Sequence, residues 1–170
     1  MNKPALHILP IKRLITVLAE GNHPAAAAII SCSSPIDEEK ILIPHHIEIY
    51  DDIDCEVIGR SFSSQAADAI ASFVSSLPDS ITDLFICCNA GESRSPAICA
   101  ATLRHFGLDD MWIWKSVNYH PNMLVFQKMA AAYQHPISDD LADYLYYINK
   151  SAFEEQIKRA RIVYGKLEIQ

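Results

Sequence analysis

The chain has 170 residues, half of them hydrophobic, with 14 Lys and Arg against 21 Asp and Glu and a formal charge of −7. This balance excludes a disordered or fibrous chain, and no run reaches the roughly 20 apolar residues of a membrane span. The acidic excess excludes a generic nucleic-acid binder, which needs a basic patch. Five cysteines without a CxxC pair argue against a disulfide framework, and Met1-Asn2-Lys3-Pro4 is not followed by the apolar stretch of a secretory signal. The expectation is a cytoplasmic protein with one main core. The charge is uneven: residues 37–92 hold twelve acids and only Lys40 and Arg60 as bases.

Ala5–Leu9 reads as a short strand, followed by a helix carrying Ile11, Leu14, Ile15 and Leu18, with Gly21 in the position of a helix-ending glycine. Ala25–Ser31 reads as a buried strand, and Ile41–Ile43 and Ile47–Tyr50 as two short β pieces around Pro44-His45-His46. His45 and His46 lack a third ligand at metal-binding spacing and read as a solvated turn. An acidic loop spans Asp51–Ser61. Ser63 or Ser64 then caps a helix whose apolar stripe is Ala66, Ala69, Ile70, Phe73, Val74 and Leu77, stopped by Pro78. Leu84–Cys87 is a continuous apolar run, expected at the centre of a sheet covered on both faces. A helix begins near Ser95, with Pro96 in its first turn, and ends at Gly107. Met111–Val117, Asn122–Gln134 and Asp139–Tyr164 complete the helices, with Met111, Trp114 and Val117 as one core-facing stripe. The alternation predicts an α/β fold with a helical C-terminal part. Cys32 and Cys99 sit in apolar settings and read as core, whereas Cys55 lies in the acidic loop.

Chemistry concentrates in Cys88-Asn89-Ala90-Gly91-Glu92-Ser93-Arg94-Ser95. A buried strand brings Cys88 to the end of the sheet. The loop residues Asn89, Ala90, Gly91, Glu92, Ser93 and Arg94 can turn their N–H groups toward one point, an anion nest. The next helix aims its N-terminal dipole there, and Arg94 supplies a fork matched to phosphate oxygens. These groups also favour the thiolate of Cys88, which places a nucleophile beside the anion it would attack.

The stretch Cys88–Ala97 resembles the signature loop of the cysteine-based protein-tyrosine phosphatases, closest to the dual-specificity branch. Tyr50-Asp51-Asp52-Ile53 resembles the segment carrying the general acid in bacterial and phage-like members, and His120-Pro121-Asn122 resembles their C-terminal Pro-Asn element. The resemblance spans roughly Ala25 to Gln134. It implies a three-layer α/β fold with a mainly parallel sheet of about four to five strands flanked by helices. A catalytic domain over 1–135 would carry a C-terminal helical extension over 136–170, which either packs back on that domain or makes a homodimer contact.

The implied reaction is phosphomonoester hydrolysis through a phosphocysteine, without metal or other cofactor, on a phosphorylated protein or small phosphoester. Cys88 is the implied nucleophile, Arg94 and the loop N–H groups hold the phosphoryl oxygens, and Ser95 assists departure of sulfur. The general acid is Asp52 by the family pattern or Asp51 by strand-end spacing; alternation puts them on opposite faces, so only one faces the site. Two positions depart from the family. Cys87 stands where a histidine is usual, as a packing substitute or a redox partner, and Glu92 replaces an apolar or aromatic residue. They keep open a module that binds phosphate without hydrolysis. A phosphatase of RNA ends or phosphoinositides would need bases such as Arg104, Lys115 or Lys128 at the mouth, against the local acidity.

Overall fold

A computed structural model describes residues 3–21, 23–24, 26–32, 39 and 41–167, with side chains described through residue 159. Ala25 of the expected strand, and Asp37, Glu38 and Lys40 of the acidic stretch, therefore lie outside the described residues. The chain folds as an α/β protein. Strands β1 (Ala5–Pro10), β2 (Ala27–Ser31), β3 (His45–Ile47) and β4 (Asp83–Cys88) form one all-parallel sheet in the order β1-β4-β2-β3. Six helices accompany them among the described residues: α1 (Ile11–Ala19), α2 (Ser64–Ser76), α3 (Arg94–His105), α4 (Met111–Trp114), α5 (Met123–Ala132) and α6 (Asp139–Leu167).

The expected central strand is β4, hydrogen-bonded on both sides by β1 and β2. Its alternate side chains divide the core. Leu84, Ile86 and Cys88 face the larger cluster with Ile70, Ile98, Phe126 and Leu145, while Phe85 and Cys87 face a smaller one around Leu14. Burying a large apolar side chain contributes about 1.5–3 kcal/mol, so these two clusters fix the register of the strand that delivers Cys88. Ser63 is the cap of α2, its Oγ accepting the Ala66 N–H at 3.1 Å.

Two expected elements differ. The strand near residue 45 is His45–Ile47, not Ile41–Ile43 or Ile47–Tyr50. It pairs with Ile29–Ser31, and the ladder closes where β2 ends, with the Glu48 N–H donating to the Ser31 carbonyl at 2.9 Å. His45 and His46 are thus half-buried strand residues rather than a solvated turn. They bond separately, Nδ1 of His45 to the Ile43 carbonyl and Nε2 of His46 to Glu48. The helix expected over Met111–Val117 is the single turn α4. Beyond it the chain is held by Asn149, whose Nδ2 donates to the carbonyls of Trp114, Ser116 and Tyr119, the first of which a helix to Val117 would have used internally. Ile113 and Trp114 consequently form its buried face, and Val117 is only half-buried.

The first part of α6 packs back on the domain through Ala142, Leu145 and Asn149, all buried. Among the described residues no helix is long and apolar enough to cross a membrane.

Candidate active site

Cys88 ends β4 and Arg94 begins α3, so the intervening loop closes over the C-terminal edge of the sheet. Its turn depends on Gly91, which has φ +77° and lies against the end of β1. A Cβ there would come within 2.8 Å of the Pro10 nitrogen. Gly91→Ala is therefore expected to cost about 1–3 kcal/mol in backbone strain alone. Thermal unfolding of the variant beside wild type checks this.

The Cys88 thiol is 2% exposed, and its sulfur lies 3.1 Å from Ser95 Oγ. Burial opposes its ionisation, but the Ser95 hydroxyl and the backbone N–H groups of Ser95, Gly91 and Ser93 point at the sulfur and outweigh it, holding the thiol below its ordinary value. The other buried cysteines go the opposite way: burial pushes Cys87 up to about 11 and Cys99 up to about 12, and Cys32 higher still. The five thiols are free. Because Cys87 and Cys88 project to opposite faces of the sheet, Cys87 acts as packing in the smaller cluster and not as a disulfide partner of its neighbour.

The sign for Ser95 follows from these bonds. Losing a donor to the thiolate raises the Cys88 pKa, so in Ser95→Ala the pH dependence of iodoacetamide labelling at Cys88 moves to more alkaline pH. An unshifted labelling curve would contradict the assignment.

Arg94 is 6% exposed. Its Nη1 donates to the carbonyls of Cys32 and Tyr50, each at 2.8 Å, which fixes the guanidinium plane. Nε is buried without a hydrogen-bond partner, and Asp52 Oδ2 is 3.7 Å away. An oxyanion in the loop would satisfy that donor.

Asp52 and Asp51 separate as alternation requires. Asp52 Oδ1 accepts from Ser93 Oγ at 2.8 Å and Asn122 Nδ2 at 3.0 Å, beside the Cys88–Arg94 loop. Asp51 instead pairs with Arg60 at 2.6 Å on an exposed surface. Asn122 also donates to the Ile53 carbonyl and accepts the Val125 N–H as the cap of α5, so one side chain ties α5 to the Asp52 segment. The sequence marks Asn122 only as the start of a helix and part of a Pro-Asn element, and its bond to a carboxylate 70 residues away has no sequence signal. Asn149 was likewise unforeseen. Besides its three carbonyl bonds it lies 3.3 Å from His120 Nδ1, and the His120 N–H donates to the Glu92 carbonyl at 2.7 Å.

Asn89, Ala90 and Glu92 are exposed at the loop rim. Two of the three bases considered for a polyanion site are engaged elsewhere: Lys128 pairs with Glu56 at 2.7 Å and Arg104 with Asp110 at 2.7 Å. Lys115 is exposed. The sequence matches no family model, and no curated protein matches it.

Proposed function

We propose that this chain is a phosphomonoester hydrolase of the dual-specificity protein-tyrosine-phosphatase type, with the three-layer fold of that family. One observation carries the reading. A buried thiol held below its ordinary pKa shares a loop with a buried guanidinium whose Nε–H lacks a hydrogen-bond partner. The loop's place between a central parallel strand and a helix N-terminus supports it further.

Cys88 Sγ attacks phosphorus and forms an S–P bond as the ester P–O bond breaks. The departing oxygen takes the proton of Asp52. Arg94 and the loop N–H groups stabilise charge on the equatorial oxygens, work that a metal ion does in other phosphatases. A water oxygen then attacks phosphorus while Asp52 takes its proton. The S–P bond breaks, and the thiolate is received by Ser95 and the N–H groups of Gly91 and Ser93. Asn122 and Ser93 position Asp52 for both steps.

Phenyl phosphate turnover with and without a chelator tests this reading. Equal turnover in both, lost in Cys88→Ser, is expected. Phosphate or tungstate binding without turnover would replace it with a non-catalytic binding module, and turnover retained in Cys88→Ser would overturn it.

A further inference from the structure

A groove of about 700 Å³ shares Asp52 and Ser93 with the loop site and takes Tyr146, Lys150 and Phe153 from α6. Its volume lies in the range of ligand sites of roughly 300–1,000 Å³, far beyond the needs of a phosphate ion. The three α6 residues fall at i, i+4 and i+7, so they form one stripe along the helix. The stripe is held in place, because Asn149 beside Lys150 is buried and bonded to three carbonyls of the 114–119 segment.

This inference rests on the proposed reaction. If Asp52 gives its proton to the departing oxygen, the organic part of the substrate leaves along the Asp52 side, and this groove begins there. Its surface suits a polypeptide. Tyr146 is 60% and Phe153 40% exposed, so both offer apolar area to a neighbouring chain. Lys150 on α6 and Asp54 on the Asp52 segment are exposed and have no charged or hydrogen-bonding partner among the described residues. They would meet opposite charges or backbone groups of that chain.

We propose that Tyr146, Lys150 and Phe153 of α6 form a docking strip for the polypeptide residues next to the phosphorylated one, with an acidic residue at Lys150.

The test compares phenyl phosphate with two phosphotyrosine peptides, one with glutamates and one with lysines beside the phosphotyrosine. In Tyr146→Ala/Phe153→Ala, kcat/KM for the glutamate peptide should fall about tenfold or more relative to that for phenyl phosphate, through KM. Wild type should favour the glutamate over the lysine peptide by about two- to fivefold, and Lys150→Glu should erase or reverse that preference. Far-UV circular dichroism checks that the variants fold. Peptide and phenyl phosphate falling in parallel, or a charge preference indifferent to Lys150→Glu, would overturn the inference while leaving the phosphatase reading intact. If wild type turns over none of the three, that reading fails. The same comparison is then made by fluorescence anisotropy of peptide binding to Cys88→Ser with and without the α6 substitutions. Affinity that follows the α6 residues upholds the groove, and affinity indifferent to them, or no peptide binding, overturns it.

Discussion

Cys88→Ser is expected to abolish phosphoester turnover, by on the order of 10⁴- to 10⁶-fold, the scale seen when an enzyme loses its nucleophile. The cause is specific to sulfur. Ser95 Oγ and three backbone N–H groups hold the thiol below its ordinary pKa, whereas a hydroxyl in the same nest starts far less acidic and stays protonated. The change is nearly isosteric in a position already packed and hydrogen-bonded, so the fold should persist. Anion binding should persist with it, because Arg94 remains clamped to the Cys32 and Tyr50 carbonyls and its Nε stays available. Tungstate titration by calorimetry beside steady-state kinetics separates the two properties. Binding retained with turnover lost is the expected pair.

Asp52→Asn should produce the next largest loss, and its size should depend on the ester. A general acid contributes about 10²- to 10⁴-fold when the leaving group needs a proton. Phenyl phosphate should therefore slow by roughly 10²-fold or more, whereas 4-nitrophenyl phosphate, whose leaving group departs readily as an anion, should slow by about tenfold or less. Asp51→Asn serves as the comparison. It removes only the exposed pair with Arg60, an interaction of about 0–1 kcal/mol, and should leave the ester dependence as in wild type. A plot of log kcat against leaving-group acidity, steep for Asp52→Asn and shallow for wild type and Asp51→Asn, is the expected result. The same steepening in Asp51→Asn would reverse the assignment.

The loop was legible in sequence because everything that makes it is contiguous: an apolar strand, a glycine at the tight turn, an arginine and a helix start within a dozen residues. The proposed general acid was legible only as a pair. Alternation puts Asp51 and Asp52 on opposite faces, but the choice is made by Arg60 drawing one outward and by Ser93 and Asn122 bonding the other, the last from 70 residues away. The edge strand was misplaced because its limits follow the end of β2 and not its own composition. The helix at 111–117 stops after one turn, and the Trp114 carbonyl it would have used internally is bonded by Asn149, which comes from another element. Cys87 read as a departure of uncertain effect until the register turned it to the face opposite Cys88. The acidity of residues 37–92 also changes meaning in three dimensions. Asp51 and Glu56 are paired with Arg60 and Lys128, and Asp83 stands at the opposite end of β4 from Cys88, so less of that charge is unpaired around the loop than its density in sequence suggests.

If phosphorus passes through the Cys88 sulfur, a phenyl phosphate reaction rapidly quenched at mildly alkaline pH and read by peptide mass spectrometry will show the intermediate itself. One phosphoryl group is expected on the peptide containing Cys88, forming within the first turnover and absent in Cys88→Ser. A phosphoryl group on another residue, or undiminished turnover with none on Cys88, would contradict it.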